Sequence, residues 1–446
     1  MNTPICDFVS DYLKSKAIRM HMPGHKGLSS LGFEALDITE INGADTLYNS
    51  TGIIKESQEN ASLIFGTEKT LYSAEGSSLS IRAIIYLIKL YSERISKIPL
   101  ILAARNAHKS FVTSTAILDV DVKWLFSNDG ALLSYNLDLT SLEKALISEK
   151  PTALYLTSPD YLGNVIDIAS VSNLCKKYGV ILAVDNAHGA YLKFLPKSLH
   201  PIDLGADICC DSAHKTLPVI TGGGYLHISK TAPALFAEEA EYAMSLFSST
   251  SPSYLILQSL DKANAVISEK SYRDKLENTA NIILQLKNKL IKHGFSVVGN
   301  EPLKLTVAPK SFGYLGSSLA KLLEEKNVIA EFSDDDFLVL MPSSNNKLSD
   351  IKKLEKIFLS FEKKSSINSL PPRIENALSY MSPHDAVFAK KEKTSIKNSE
   401  GKVLASLSVS CPPAVPIAIC GEVITSSVIK CLEYYSIDSL YTVVSD

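Results

Sequence analysis

No uninterrupted apolar run in this 446-residue chain reaches the ~20 residues a membrane-spanning helix requires. The acids of MNTPICDFVSDYLKSK stand where a secretory leader needs an apolar centre, so no leader is expected. Charge of one sign is not in excess either. With 45 Lys+Arg against 48 Asp+Glu, the formal net charge is -3, which points to neither nucleic acid nor an anionic membrane as a partner. The seven cysteines (6, 175, 209, 210, 411, 420 and 431) never form a CxxC pair, which excludes the usual zinc and thioredoxin-like motifs. Cys175 and Cys209 read as small core residues, and a reducing cytosol is the expected setting. Repeats and low-complexity tracts are absent as well. What remains is ordinary globular composition, 46% hydrophobic and 21% charged, in a chain long enough for two or three domains.

Between about residues 70 and 230, short β-like runs alternate with helical patterns. The runs are PLILAA (99–104), VDVKWLF (120–126), TALYLT (152–157), VILAV (180–184) and DICC (207–210). DIASVSNLCKKYG, between two of them, reads as a helix. Asp167 can cap it, Ile168, Val171, Leu174, Cys175 and Tyr178 share a face, and Gly179 supplies a left-handed terminal residue. The alternation predicts a mostly parallel sheet covered on both faces, with ligands beyond the carboxyl ends of its strands.

Residues 1–65 read as an arm and a first helix, ESQENASLIFG, closed by Gly66. Residues 66–280 form the expected large domain, helical over 231–280 apart from a loop at SSTSPSY. A smaller αβ domain follows over 281–365, with strands at LKLTVAP and DFLVLMP and helices at LGSSLAKLLEEKN and LSDIKKLEKIFLSF. Pro371 and Pro372 mark a linker within the C-terminal part, 366–446. There CPPAVPIAICGEVI reads as a Pro-stiffened loop with one acid, Glu422.

His108, Asp185 and Lys215 each follow a β-run. VILAVDNAHGAY (180–191) carries Asp185, and DSAHKTLPVITGGGYLHIS (211–229) carries Lys215 ahead of a Gly-rich segment. A lysine that forms an imine and an aspartate that pairs with a pyridinium nitrogen are the two anchors pyridoxal phosphate (PLP) needs. Singly, the lysine can be a salt-bridged structural residue and the aspartate a turn or cap residue. Together, on two successive strand ends, they favour the cofactor. A partly desolvated lysine would have a lowered pKa and a neutral, nucleophilic amine. His188, Ser212 and His214 lie close to these anchors in sequence. Gly76, Ser77 and Ser78 open the apolar helix SSLSIRAIIYLIKLY, where hydroxyls can cradle a phosphate or simply cap the helix. His108, in ARNAHKS, can stack on a pyridine ring or be a surface-loop residue. His21 and His25 in MHMPGHKG have an H-x-x-x-H spacing, but Pro23 and Gly24 break the helix that would align them, so no metal is expected.

Taken together, these segments resemble the Orn/Lys/Arg decarboxylase family in its short bacterial form. The likeness runs through MPGHKG, DITEINGADTLYNSTGIIKESQENA, EGSS, RNAHKS, TSPDYLGNVIDI, VDNAHGAY, DSAHKTLPVITGGG, STSPSYLILQSLD, MSPHDAVFA and CPPAVPIAICGEVI. The S-x-H-K and D-x-A-H elements are the most specific. The resemblance implies an α/β, PLP-dependent transferase-like fold of the aspartate-aminotransferase type. Its parts would be a large, mostly parallel seven-stranded sheet domain, a smaller αβ domain and a C-terminal segment. It implies decarboxylation of a basic amino acid, arginine or lysine before ornithine. The enzyme would be a cytoplasmic homodimer or larger with shared active sites, the PGHK arm serving a partner's site.

By the same resemblance Lys215 would bind PLP covalently, Asp185 would pair with the ring nitrogen and His108 would stack on the ring. Ser77, Ser78, Ser212 and His214 would hold the phosphate, with His188 close by. Glu422 would meet the distal cation of the substrate, with Asp160 on the substrate side. Some positions depart from the family pattern: Leu79 and Ile81 in the phosphate turn, Asp160 for Thr, Gly222 for Gln, and CPPA and CGE for YPPG and PGE. They bear on substrate identity and activity and remove no cofactor anchor. Aminotransfer or aldol cleavage on the same scaffold is one alternative, with Arg273 and Arg373 the candidates in the latter half for a second carboxylate. A PLP-binding regulatory homologue is another.

Overall fold

Apolar runs of four or five residues build the sheet that organises the chain, as a computed structural model shows; the described residues are all but 128–131, 371, 374–377, 412–414 and 445–446. The strands are β1 (Lys69–Ser73), β2 (Leu100–Ala104), β3 (Asp121–Leu125), β4 (Ala153–Thr157), β5 (Ile181–Asp185), β6 (Ile208–Asp211) and β7 (Gly224–Ile228), in the order β1-β7-β6-β5-β4-β2-β3. β5 and β6 are parallel, while β7 runs antiparallel to β6 and β1. The mostly parallel sheet expected from the alternation is present. Its antiparallel edge was not legible, because KTLYS and GYLHI carry polar residues at buried positions. Thr70 and His227 stand opposite each other there, and their side chains meet at 2.9 Å.

The helices are α1 (Pro4–Lys14), α2 (Ile53–Phe65), α3 (Gly76–Arg94), α4 (Lys109–Leu118), α5 (Leu139–Glu149), α6 (Ile168–Tyr178), the single turn α7 (Ala213–Thr216), α8 (Ala234–Ser245), α9 (Tyr254–Ser268), α10 (Lys270–His293), α11 (Gly316–Glu324), α12 (Leu348–Leu359), α13 (Pro383–Phe388) and α14 (Ser426–Tyr434). α6 has the capping read from its sequence: Asp167 accepts from Ser170 N, and Gly179 adopts φ +65°. α2 begins three residues before ESQENASLIFG. The Asp45 carboxylate accepts from Gly52 N at 2.8 Å and Ile54 N at 3.0 Å, a cap too distant in sequence to be read as one. α10 runs through the expected boundary at 280/281. Among the described residues no helix is long and apolar enough to cross a membrane.

The chain forms two compact units that interleave in sequence, residues 1–101, 143–156 and 167–273, and residues 102–142, 157–166 and 274–446. The second unit holds an antiparallel sheet of β8 (Ser296–Val298), β9 (Leu305–Ala308), β10 (Phe332–Ser333) and β11 (Leu338–Leu340), ordered β10-β11-β9-β8. Leu305, Val307, Phe312, Leu319 and Phe358 share its core. The same unit pairs β12 (Lys391–Ser395) with β15 (Ser439–Val443), and β13 (Ser408–Cys411) with β14 (Val415–Ile419). The reading of CPPAVPIAICGEVI as a loop is corrected here, since Val415–Ile419 is a buried strand. Pro416 is tolerated because this sheet has only two strands and the register shifts beside it, between Val409 and Ser410. Pro412, Pro413 and Ala414 of that stretch, and Pro371, lie outside the described residues.

In the first unit, Phe65 is fully buried against Phe194, His200, Tyr225 and His227, its ring centroid 4.3 Å from that of His227. Beneath it a polar network is sealed from solvent. Asp211 Oδ2 accepts from His200 Nε2 at 3.2 Å and His227 Nε2 at 3.1 Å, and Asp211 Oδ1 accepts from Asn186 Nδ2 at 2.7 Å. Phe65→Ala is expected to cost about 3–5 kcal/mol in urea unfolding, through lost contacts and a cavity. Burial pushes the His227 imidazole below its ordinary value, against the opposing pull of Asp211. The unfolded chain therefore takes up this proton first, and the contribution to stability falls as pH drops below ~6.5. Thermal midpoints at about pH 7.5 and 5.5 should fall further for the native chain than for His227→Gln, which keeps an N–H for Asp211 but has no proton to gain.

Candidate active site

Two neighbouring parallel strands deliver the expected groups to one end of the sheet. The pairing of β5 with β6 stops at Asp185 opposite Cys210, so Asn186–His188 and Ser212–Lys215 leave the sheet together. Asp185 is buried. Its Oδ1 accepts from Ala187 N at 3.1 Å and from Cys210 Sγ at 3.7 Å, and its Oδ2 accepts from the Tyr155 hydroxyl at 3.3 Å. Burial, reinforced by the Asp185 charge, pushes the Tyr155 phenol and the Cys210 thiol well up, so both stay protonated and donate. Tyr155 was missed from the sequence. Within TALYLT it is one more apolar residue of a core strand, and only the pairing order puts it beside Asp185.

Lys215 lies in α7, with Nζ 3.0 Å from His188 Nε2. His188 is buried while Lys215 is exposed. The Lys215 side chain is thus exposed as a whole, while its amine meets a buried imidazole.

Ser77 and Ser212 form the next part of the site. Ser212 Oγ donates to Ser77 Oγ at 2.8 Å and accepts from Ser77 N at 3.4 Å. Neither Ser77 nor Ser78 caps α3. The cap position is Glu75, and the helix opens at Gly76 with φ +65°. Both serines thus lie in the first turn of a 19-residue helix, where backbone N–H groups lack intrahelical partners and the dipole favours an anion. Close approach of β7 makes the place possible. A Cβ on Gly224 would lie 2.8 Å from Asp211 O and 3.0 Å from the Gly76 carbonyl carbon. Gly222, at φ +101°, accepts from Gly76 N at 2.6 Å through its carbonyl. Leu79 and Ile81 are fully buried in α3. His214 Nδ1 donates to Gly223 O at 2.9 Å, and burial pushes the imidazole below its ordinary value. Its Nε2 therefore presents a lone pair, and it must gain a proton before it can donate to a phosphate.

The other candidates belong to the second unit. His108 is the N-cap of α4, its Nδ1 accepting from Ser110 N at 3.2 Å. Asp160 is buried and spends both oxygens in its own turn, accepting from Asn164 N at 2.8 Å and Asn164 Nδ2 at 2.7 Å; burial pushes its carboxyl up to about 6. Glu422 is buried with Arg105, its Oε2 lying 3.1 Å from Arg105 Nη2 and 2.8 Å from Ile419 N. Arg105 also donates to Pro416 O and Ile417 O, and its guanidinium lies 5.4 Å from the Trp124 ring centroid. This arginine was missed, although it begins the RNAHKS segment. His21 and His25, in the first unit, are engaged separately, His21 with the Tyr12 hydroxyl at 2.7 Å and His25 with Asp37 at 3.3 Å.

Arginine decarboxylase of Bacillus subtilis (strain 168) is 27% identical over 95% of this chain and 91% of that protein. Arginine decarboxylase of Halalkalibacterium halodurans is 28% identical, with the same coverage of 95% and 91%. The fold is similar to that of the Francisella novicida lysine decarboxylase LdcF, at a TM-score of 0.81 and 18% identity, covering 99% of this chain and 81% of that one. The family model for the Orn/Lys/Arg decarboxylase major domain matches residues 3–300, about two thirds of the sequence, and the chain belongs to that family of decarboxylase enzymes.

Proposed function

We propose that this chain is a PLP-dependent decarboxylase of a basic amino acid, arginine or lysine before ornithine, acting in the cytoplasm as a homodimer or larger assembly. The convergence of Asp185, Lys215 with His188, and the Ser77–Ser212 pair at one end of the sheet carries this proposal. The donor set suits PLP: first-turn N–H groups and hydroxyls for a phosphate, an amine for an aldehyde, and a buried carboxylate for a ring nitrogen. When bound, PLP supplies the electron sink that lets a carboxylate leave the α-carbon.

The protein's part is to bind, orient and move protons. Lys215 would hold the cofactor, and His188, 3.0 Å from its Nζ, is placed to exchange a proton with that amine. Asp185 would keep the ring nitrogen protonated, with Tyr155 and Cys210 orienting the carboxylate. Ser77, Ser78, Ser212 and His214 would grip the phosphate. His108 and Glu422 enter through their motifs, as the stacking imidazole and the acid for the substrate's distal cation. Arg105 already shares the charge of Glu422, so a second cation would meet a weakened field. Asp160, committed to its turn, takes no substrate role here.

The arginine decarboxylases among the relatives support arginine as the first substrate to try. Aminotransfer would need an arginine for a second carboxylate, and Arg273 and Arg373 are the candidates in the latter half; both are exposed. Assembly is supported by the arm, which exposes Ile18, Met20, Leu28 and Leu31.

Purified protein supplied with PLP should release CO2 and form agmatine from arginine or cadaverine from lysine, with putrescine from ornithine slower. Transfer of the amino group to an oxoacid in place of CO2 release would replace decarboxylation by aminotransfer. Lys215→Ala should show neither an imine absorbance band nor turnover, and a variant turning over at the native rate would remove Lys215 from this role. Glu422→Gln should raise KM for the basic substrate about tenfold or more while PLP affinity holds. Equal losses of both would make Glu422 the structural partner of Arg105 only.

A further inference from the structure

The sealed network around Asp211 has no part in the chemistry assigned above, yet it lies between the two strand ends that carry that chemistry. Asp211 is the last residue of β6, next to Ser212 and four residues before Lys215. Asn186 directly follows Asp185 at the end of β5. The backbone ladder of the two strands ends here with Asn186 N donating to Cys210 O at 2.9 Å. Beyond this point only side chains can stop the strand ends from splaying, and Asn186 Nδ2 donates to Asp211 Oδ1 at 2.7 Å.

The opposite oxygen is held as firmly. His227 reaches Asp211 Oδ2 from β7, and His200 reaches it from the segment before β6, with both imidazoles fully buried. The tautomers follow from the other ring nitrogens. His200 Nδ1 accepts from Ile202 N at 3.4 Å, so its proton is on Nε2, facing the carboxylate. His227 Nδ1 faces the Thr70 hydroxyl at 2.9 Å, which can donate to it. One buried carboxylate thus receives three N–H donors, which is how a desolvated charge becomes tolerable.

His200, Cys209 and Asp211 also stand close enough to share a cation. Two features oppose this. The His200 Nε2 lone pair is replaced by a proton, and burial pushes the Cys209 thiol well up, away from the thiolate a metal needs.

We propose that Asp211 is a positioning residue, which fixes the end of β6 to that of β5 and so sets the separation of Lys215 from Asp185. This rests on PLP being held by those two residues. The charge itself matters, because a neutral amide in its place would turn an N–H toward one of the three donors.

The test compares Asp211→Asn, Asn186→Ala and His227→Gln with the native protein, by PLP titration of the imine band, by thermal unfolding without PLP, and by kcat and KM. Asp211→Asn should bind PLP about tenfold more weakly or worse, with a shifted band. Asn186→Ala cuts the link between the strands but leaves both histidine donors on Asp211, so it should weaken PLP in the same way while lowering the midpoint of the PLP-free protein less than Asp211→Asn does. This keeps the test decisive if Asp211→Asn fails to fold. His227→Gln, which preserves a donor, should stay within about threefold of native PLP affinity.

Native affinity and an unshifted band in both Asp211→Asn and Asn186→Ala, with only the midpoint lowered, would reduce Asp211 to a structural role and overturn the proposal. Zinc retained stoichiometrically by the native protein after dialysis, and lost from Asp211→Asn, would overturn it in favour of a metal centre. If the native protein forms no imine band, or Lys215→Ala keeps it, the assignment of the PLP residues fails and the positioning role falls with it. A positioning failure alone leaves the native band intact.

Discussion

Parallel pairing of Ile181–Asp185 with Ile208–Asp211 is the constraint on which the first unit's site depends. Parallel strands send their following residues out at the same end, so an acid ending one run and a lysine shortly after the next become neighbours without any sequence proximity. The remaining site residues of this unit are placed relative to that pair. Ser212 and His214 belong to the turn after Asp211, His188 to the turn after Asp185, and Tyr155 to the strand on the other side of β5. The start of the Gly76–Arg94 helix reaches Ser212 because glycine at 224 leaves room for two backbones to approach.

Such a pairing must also be held where the backbone ladder runs out. The first unit does this with charge and hydrogen bonds placed out of reach of water. Asp211 alone would be a costly buried anion; with three N–H donors around it, and with Phe65 closing the cluster, the same charge ties three strands together. The second unit uses the same device elsewhere. Arg105 ties its own segment to the carbonyls of Pro416 and Ile417 and to Glu422, so a carboxylate that looks available in the sequence is already partnered in the fold.

Burial changes what each titratable group offers. Tyr155 and Cys210 are kept protonated by burial and by the charge they face, which makes them donors to Asp185 and unfit as bases. His214 is pushed toward its neutral form, and its one ring proton is committed to Gly223. Lys215 is exposed, with a ring nitrogen of the buried His188 3.0 Å from its Nζ. Residue type alone would have suggested a more uniform pocket.

Local patterns along the chain are enough for the fold class, the α6 helix with both its caps, and the family motifs, including the two residues on successive strand ends. These are legible because hydrophobic period, N-cap chemistry and left-handed glycine are local, and because a strand end is marked by the residue that breaks the apolar run. The antiparallel edge strands, the strand inside the Pro-rich C-terminal stretch, the long-range Asp45 cap, and the partners of Asp185, Asp211, Asp160 and Glu422 emerge only in the folded chain. Polar residues at 70 and 227 disguise two strands because the hydrogen bond between their side chains, which offsets the cost of burial, exists only once the strands are paired. A side chain's partner is set by which segments the sheet brings side by side, and no local pattern carries that information.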